Sequence, residues 1–224
     1  MLLPRYFFTR DYVCMYPYFL TQPHTKKLIR KGDYLRPPHE TIKNCFYIVS
    51  GVAIEYVEHE DGHRKILDFH GEGHVTPGCH ESEFKIEKSI CSIAVTDMET
   101  LCFRREDFYR MYQEDQTLRG IVLETYAKYI NLLIYEVAHQ KFNNLFLKVC
   151  NLLYLIAIGS DEPNRIGLSQ ENLADILGTN RVNITKCITR LREERIIEPH
   201  RGWIELLDLQ GLGEYCSEET QPEL

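Results

Sequence analysis

Apolar residues recur with a helical period in two neighbouring segments between residues 168 and 191. In the second segment they are spaced i, i+3, i+4 and i+7, which predicts a helix with one buried stripe. That stripe consists of Ile184, Cys187, Ile188 and Leu191. The first segment predicts a shorter helix whose buried face carries Leu173, Ala174 and Leu177. The hydrophobic pattern therefore predicts two short helices in immediate succession.

Residues suited to helix ends flank these two segments. Ser169 and Asn180 precede them, and side chains of both types cap helix N-termini by accepting a backbone N–H. Gly178 stands where the chain must break, and glycine readily adopts the backbone conformations of a tight turn. The segment thus predicts a helix-turn-helix, in which the second helix is the recognition helix.

The other face of the second helix is polar and basic. Residues 179–192 include four basic residues and no acidic one, although the whole chain has a formal charge of −7. Such a local reversal of sign is typical of a surface that binds a phosphate backbone. The exposed stripe consists of Val182, Thr185, Lys186 and Thr189. An ordinary helical hairpin with a solvated basic face is the alternative interpretation.

Two strand-like runs follow the second helix, at residues 196–198 and 203–206, with a turn predicted at 199–202. A hairpin directly after a recognition helix is the arrangement of a winged helix. This neighbour favours a DNA-binding module over the solvated hairpin.

The N-terminal half has a different pattern. Between residues 25 and 103, short strand-like runs alternate with turn residues, which predicts a β-rich domain. The predicted strands are residues 27–30, 45–49, 52–58, 64–69, 90–95 and 100–104. Asp61-Gly62 lies between two of them and predicts a tight hairpin, because this pair accepts positive φ angles.

After residue 105 the pattern becomes helical again, and a broad apolar face continues long enough to predict a helix of about 30 Å. Its repeating positions are Leu118, Val122, Thr125, Tyr129, Leu132, Glu136 and His139, widened by Ile121, Leu133, Ile134 and Val137. A second copy of the chain is the simplest cover for such a face, with packing inside one chain as the alternative. Another helical run follows at 142–159, so we expect divisions at 1–110, 111–141 and 142–224.

Composition narrows the class of protein. The 224 residues are 44% hydrophobic and 26% charged, which is typical of a soluble globular chain. The net acidity argues against a protein that coats nucleic acid or membranes with its whole surface. No apolar run is long enough for a membrane span or a signal-peptide core, so we expect a cytoplasmic protein. The eight cysteines show no CxxC spacing, which favours reduced thiols, with Cys150 and Cys187 in the core.

Two stretches resemble the Crp/Fnr family of bacterial transcription regulators. YIVSGVAIEYVEHEDGHRKILDFHGEGHVTPG, residues 47–78, is similar to the family's strand-glycine-strand and Asp-Gly hairpin pattern. LSQENLADILGTNRVNITKCITRLREERII, residues 168–197, is similar to its helix-turn-helix through to the wing. The resemblance implies an α+β fold, with an N-terminal β-roll (jelly-roll-like) sensor domain, a long dimerisation helix and a C-terminal winged helix-turn-helix domain. It further implies a homodimer, a palindromic DNA site, contact with RNA polymerase and control by a small molecule in the β-roll.

The resemblance also assigns DNA-contacting positions. Arg181, Val182, Thr185 and Lys186 match the family's base-reading residues. Many members carry a glutamate at the position of Val182, and valine can touch a thymine methyl but cannot accept from cytosine N4. We therefore expect a half-site unlike that of the cyclic AMP receptor. The full set of candidate DNA-binding residues is Ser169, Asn180, Arg181, Val182, Asn183, Thr185, Lys186, Thr189 and Arg190.

Effector positions depart from the family pattern. Members that respond to cyclic AMP carry Gly-Glu and Arg-Ser pairs, where this chain has Gly78-Cys79 and Lys88-Ser89. Lys88 and Ser89 can hold an anion, but a cysteine cannot accept the ribose hydroxyl as a carboxylate does. These four residues are the candidate effector site. The departures weigh against cyclic AMP and favour a different small acid, and a vestigial, ligand-free sensor is a further alternative.

Other chemistries have weaker support. Only Cys14 precedes Cys45, which does not match an N-terminal iron–sulfur cluster. The family's haem sensors use a β-roll histidine, and here the candidates are His70, His74 and His80, which we expect at the surface. A thiol switch would involve Cys79, Cys91 or Cys102. A metal-dependent cupin-like enzyme would need an HxH pair, which is missing, so we expect no catalytic activity and no metal site.

Overall fold

Two sheets, antiparallel except for one edge pair, form the core of the N-terminal part of the protein. The structure, a computed structural model, describes residues 3–59, 62, 64–78, 80, 84–160 and 162–221. It divides into two compact units, one spanning Phe7–Ala127 and the other combining Met1–Tyr6 with Lys128–Leu224. The strands of the first unit are β1 (Phe7–Phe8), β2 (Thr25–Ile29), β3 (Tyr34–Arg36), β4 (Asn44–Ser50), β5 (Ala53–Glu58), β6 (Arg64–His70), β7 (Val75–Thr76), β8 (Ile90–Ala94) and β9 (Met98–Arg104).

These strands make a five-stranded sheet in the order β1-β6-β5-β8-β3 and a four-stranded sheet in the order β2-β9-β4-β7. Every pairing is antiparallel except that of β1 with β6. Apolar side chains of both sheets share one buried cluster, which includes Leu35, Ile48, Ala53 and Met98. The two sheets therefore pack face to face, as in a β-roll.

Helices cover the outer face of the four-stranded sheet. They are α1 (Tyr16–Thr21), α2 (Arg105–Glu114) and the first turns of α3 (Gln116–Phe142). Phe19, Phe108 and Leu118 pack there against Tyr47 and Phe103. α3 contains 27 residues and is about 40 Å long, which exceeds the length expected from the sequence. Asp115 separates α2 from α3 and accepts the backbone N–H of Leu118 at 2.8 Å.

The second unit contains a compact winged helix-turn-helix. Its elements are α4 (Leu145–Ile158), β10 (Arg165–Ile166), α5 (Gln170–Leu177), α6 (Arg181–Glu193), β11 (Ile197–His200), β12 (Trp203–Leu206) and α7 (Leu209–Glu214). α4 packs against α5, α6 and α7, and the three strands pair in the order β10-β12-β11. Cys150 and Cys187 are buried, as predicted. No helix within the described ranges is long and apolar enough to span a bilayer.

Several details differ from the sequence expectation. The wing turn is the two-residue step Arg201-Gly202, because Pro199 and His200 already pair with β12. In α5 the buried positions are Leu173, Ala174 and Ile176, whereas Leu177 is half-buried. Of the predicted Asp61-Gly62 hairpin, Gly62 has a φ of +84°, and Asp61 lies outside the described residues.

Candidate nucleic-acid interface

Local hydrogen bonds fix the starts of α5 and α6, and a glycine ends α5. Ser169 Oγ accepts the N–H of Asn172 at 3.1 Å, and Asn172 Oδ1 accepts the N–H of Ser169 at 3.0 Å. Asn180 caps α6 by accepting the N–H of Asn183 at 2.9 Å. Gly178 ends α5 with a φ of +61°, in the left-handed region that favours glycine. The predicted caps and chain break are confirmed.

The two faces of α6 separate as the sequence predicts. Ile184, Cys187, Ile188 and Leu191 are buried. On the opposite side the exposed residues are Arg181, Val182, Thr185 and Lys186, while Asn183 and Thr189 are half-buried. Val182 is 65% exposed on this otherwise polar face. Such a face presents two cations, a hydroxyl and an apolar tip on one side of a single helix.

The cationic side chains of α6 differ in their surroundings. Among the described residues, neither the Arg181 nor the Lys186 side chain has a hydrogen bond or ion-pair partner. Arg190, by contrast, lies with its guanidinium carbon 3.9 Å from the centre of the Phe146 ring and donates to Glu194 at 3.0 Å. Arg190 is thus held against the helices behind α6, whereas Arg181 and Lys186 extend freely.

The hydroxyl of Thr185 is also engaged. Its Oγ lies 2.8 Å from Gln170 Oε1 and 2.9 Å from the carbonyl oxygen of Arg181. A hydroxyl has one proton, so it donates to one of these oxygens at a time and keeps its lone pairs for an external donor. Gln170 opens α5, so this contact ties the start of the first helix to the exposed face of the second.

The wing carries basic and aromatic residues that sequence reasoning missed. The rings of His200 and Trp203 stack with centroids 4.1 Å apart, and the Arg165 guanidinium lies 5.0 Å from the centre of the Trp203 ring. Arg201 is exposed at the tip, next to Gly202 with a φ of +87°. The sequence signal for Arg201 was its position before Gly202 in a two-residue hairpin turn. No sequence signal pointed to Arg165, because the strand β10 that holds it has only two residues.

The candidate effector residues lie at the edge of the β-roll. Lys88 and Ser89 end a short 3₁₀ segment, Lys85–Ser89, in which Lys88 is exposed. Gly78 is exposed, and a Cβ there would lie 2.6 Å from the hydroxyl of Tyr126. Cys79 lies outside the described residues. The cavity beside Lys88 and Glu87 has a volume of about 20 Å³, which is room for one water molecule.

The expectation of surface histidines is wrong for two of the three. His70 and His74 are 6% and 3% exposed. Each of these buried imidazoles lies beside a carboxylate. Nε2 of His70 is 3.2 Å from Asp68 Oδ1, and Nδ1 of His74 is 3.1 Å from Asp11 Oδ2. His80 is partly exposed and lies 2.7 Å from Glu87.

These surroundings shift the pKa values of the two buried imidazoles, His70 and His74, in opposite directions. Burial lowers the pKa of His70, but the charges of Asp68 and Glu55 outweigh it and raise the pKa to about 9. Burial and the neighbouring His70 lower the pKa of His74 to about 4, although Asp11 opposes this shift.

Two of the three candidate thiols of a redox switch are poorly placed for reaction, and the third, Cys79, lies outside the described residues. Cys91 and Cys102 are buried, and burial raises the pKa of both thiols. A raised pKa reduces the fraction of reactive thiolate. Within the described ranges, Cys14 is the exposed cysteine.

Comparison with known proteins identifies a family match for the helix-turn-helix and solved structures that share the fold. Residues 148–215 match the family described as the Crp-like helix-turn-helix domain. No curated protein matches the sequence. The fold is shared with FixK2 from Bradyrhizobium japonicum, at 17% identity and a TM-score of 0.75, over 87% of this chain and 98% of that one.

Two further structures show the same similarity. A CooA mutant from Carboxydothermus hydrogenoformans is 20% identical, with a TM-score of 0.72 over 86% of this chain and 87% of that one. A transcriptional regulator of the CRP/FNR family from Thermus thermophilus is 18% identical, with a TM-score of 0.67 over 85% of this chain and 97% of that one. The helix-turn-helix domain and the fold are therefore those that the sequence resemblance implied.

Proposed function

We propose that this chain, which has a Crp-like helix-turn-helix domain on the fold of the Crp/Fnr regulators, is a homodimeric, sequence-specific DNA-binding transcription regulator without catalytic activity. The observation that supports it best is the exposed cationic face of α6, where Arg181 and Lys186 extend freely from a helix that is capped and packed behind. Such a helix fits the major groove.

Each candidate residue has a role in this proposal. Lys186 and Arg181 donate to guanine O6 and N7 or to phosphate, Thr185 binds a base edge or phosphate, and Val182 contacts a thymine methyl. Ser169 and Asn180 begin helices, where backbone N–H groups donate to phosphate oxygens. Asn183, Thr189 and Arg190 complete the set, with Arg190 acting mainly by holding α6 in place.

A face of α3 that is shifted from the one predicted from the sequence supports dimerisation. Of the predicted positions, Leu118, Val122, Leu132 and His139 are buried within this chain. Leu123, Ile130 and Val137 are spaced at a regular heptad interval and are 71%, 53% and 72% exposed. Ile134, one helical turn after Ile130, is 65% exposed. Alternating steps of three and four positions are typical of a coiled-coil seam, so a second copy of α3 covers this face. We keep the divisions predicted from the sequence, with 1–110 for sensing, 111–141 for dimerisation and 142–224 for DNA binding.

A dimerisation test uses one added charge at two places on α3. Ile130→Asp places a carboxylate in the seam and should yield monomers in sedimentation analysis, whereas Thr117→Asp, at an exposed position of the first turn, should leave dimers. Dimers in both variants would contradict the seam.

Control is assigned to the β-roll, with a small anion at Lys88 and Ser89 as the candidate effector from the sequence. RNA polymerase is the expected further partner and the cytoplasm the expected location. The alternative is a sensor without ligand, in which the concentration of the regulator alone sets occupancy.

The deciding experiment is selection from a randomised duplex library, with and without a panel of small acids and cyclic nucleotides. Recovery of a two-fold symmetric site supports the dimeric regulator, and a panel member that sharpens enrichment identifies the effector class. Equal enrichment with and without the panel supports the ligand-free alternative. No enrichment under any condition contradicts the proposed function.

A further inference from the structure

A row of polar side chains crosses the inner face of the five-stranded sheet. Arg36 of β3 pairs with Ser92 of β8, Ser92 with Glu55 of β5, and Glu55 with Asp68 of β6. Directly paired residues share a face of a sheet, and so does a residue two positions along a strand, which adds His70. All five residues are at most 8% exposed.

This face points into the β-roll. Thr76 belongs to the opposite four-stranded sheet, and its hydroxyl donates to Glu55 Oε1 at 2.9 Å. The contact joins the two sheets across the interior. Five polar residues therefore occupy inward positions that apolar residues fill elsewhere in the same core.

Several atoms in the row have no hydrogen-bond partner among the described residues. They are Arg36 Nε, Asp68 Oδ1, His70 Nδ1 and Ser92 Oγ. Asp68 Oδ1 lies 3.2 Å from His70 Nε2, but without hydrogen-bond angles. Each buried polar atom without a partner costs about 1–3 kcal/mol, so four in one row are not explained by packing.

Charged and titratable groups are concentrated in the row. Glu55 and Asp68 are carboxylates, and they lie beside Arg36 and the imidazole of His70. The nearby ring of His74, 4.6 Å from that of His70, is bound to a further carboxylate, Asp11. Buried carboxylates require compensating cations, which here are Arg36 together with either a protonated His70 or a metal ion in place of that proton.

We propose that Glu55, Asp68 and His70 bind a divalent first-row transition-metal ion, such as Zn²⁺, Mn²⁺ or Fe²⁺, inside the β-roll. One ligand atom of each residue lies within 4.8 Å of the other two. Bonds of about 2.0–2.2 Å allow ligand atoms up to about 4.4 Å apart, so binding requires a contraction of a few tenths of an ångström. An imidazole beside two carboxylates suits these ions better than Mg²⁺ or Ca²⁺.

The neighbours of the site are suited to support it. Thr76 orients the carboxylate of Glu55 through its hydrogen bond, as outer-shell groups do for metal ligands. The HxH pair expected of a cupin is missing, and the ligands come instead from two paired strands, at 55 on β5 and at 68 and 70 on β6. The site stands independently of DNA binding and of Lys88 and Ser89.

The test measures metal binding by the full-length chain. Protein freed of metal with a chelator is dialysed against Zn²⁺, Mn²⁺ or, without oxygen, Fe²⁺, and bound metal is counted by mass spectrometry. We expect one ion per chain for at least one of these metals. Glu55→Gln, Asp68→Asn and His70→Ala should each weaken binding at least about 100-fold, more than a typical outer-shell substitution does.

Two controls separate this site from adventitious binding. Glu58→Gln removes an exposed carboxylate from strand β5, which also carries Glu55, and His80→Ala breaks the pair that His80 forms with Glu87. Both should bind metal like the parent. Loss of binding in His80→Ala, or retention in all three ligand variants, would overturn the site.

Wild-type protein keeps the proposal testable should the ligand variants fail to fold. Co²⁺ bound to nitrogen and oxygen ligands in the protein interior should give visible d–d absorption bands that saturate at one equivalent. No metal uptake and no such bands would refute the proposal without bearing on DNA binding.

Discussion

Two basic residues one helical turn apart on α6 should respond to truncation in opposite ways. Lys186→Ala should reduce DNA affinity and leave stability unchanged, because the Lys186 side chain is exposed and has no partner among the described residues. Arg190→Ala should lower the unfolding midpoint, because its guanidinium lies over Phe146, 3.9 Å from the ring centre, and pairs with Glu194 at 3.0 Å.

The size of the Lys186 effect follows from the contact and the symmetry. A base contact by a lysine is worth about 1–3 kcal/mol. The proposed symmetric dimer would make the contact twice, so the expected loss is about 2–6 kcal/mol, or roughly 30-fold to 10⁴-fold in affinity. The change in unfolding free energy should stay within about 0.5 kcal/mol, as at other exposed sites.

The assay is fluorescence anisotropy on the selected duplex at fixed salt, with thermal unfolding of each variant in parallel. Lys26→Ala removes the same charge from an exposed position on β2 and is the control for long-range electrostatics. Base selectivity is measured with duplexes substituted one position at a time. If Lys186→Ala bound DNA with the affinity and selectivity of the parent, the proposed base contact of Lys186 would be refuted. If Arg190→Ala were as stable as the parent, the structural role of Arg190 would be refuted.

Three further outcomes are expected. Ser169→Ala removes the side chain that accepts the N–H of Asn172 and should cost about 0.5–2 kcal/mol in urea unfolding, with Ser169→Asp restoring most of it. Burial lowers the pKa of His139, so the folded protein binds fewer protons at this residue than the unfolded chain does. The free energy of unfolding should therefore decrease as the pH falls below about 6.5, and it should decrease less in His139→Gln than in the parent. Midpoints of urea unfolding, measured as a function of pH, test this. In a Cys79→Ser variant, the exposed Cys14 should react rapidly with a thiol reagent. The buried Cys91 and Cys102 should react only after unfolding, and rapid reaction of either in the folded protein would contradict its burial.

The recognition domain was predictable because its determinants are local. Ser169, Gly178 and Asn180 act on their near neighbours along the chain, so their spacing in the sequence is their spacing in space. The buried stripe of α6 is set by the helical period alone. The function of Arg190 was not predictable in this way, because Phe146 and Tyr215, the rings beneath it, belong to other elements far from it in the sequence.

The shortest strands could not be predicted from the sequence for a related reason. β1, β7 and β10 contain two residues each and β3 contains three, which is too few for an alternating pattern to appear. Their conformation is imposed by the strands they pair with. β1 pairs with β6, which lies much further along the chain, and β10 pairs with β12.

The polar row in the β-roll shows a deeper limit of hydrophobic patterning. Alternation identifies the inward face of a strand by its apolar residues, so it places Glu55, Asp68 and His70 at the surface by default. Register decides otherwise, since Glu55 and Asp68 pair directly and face the interior although they belong to different strands. A buried charge costs free energy that packing does not return, and sequences that violate local rules in a well-formed core tend to do so at functional sites. The buried atoms of Asp68, His70 and Ser92 that lack a hydrogen-bond partner among the described residues are therefore stronger evidence for a ligand than any spacing in the sequence.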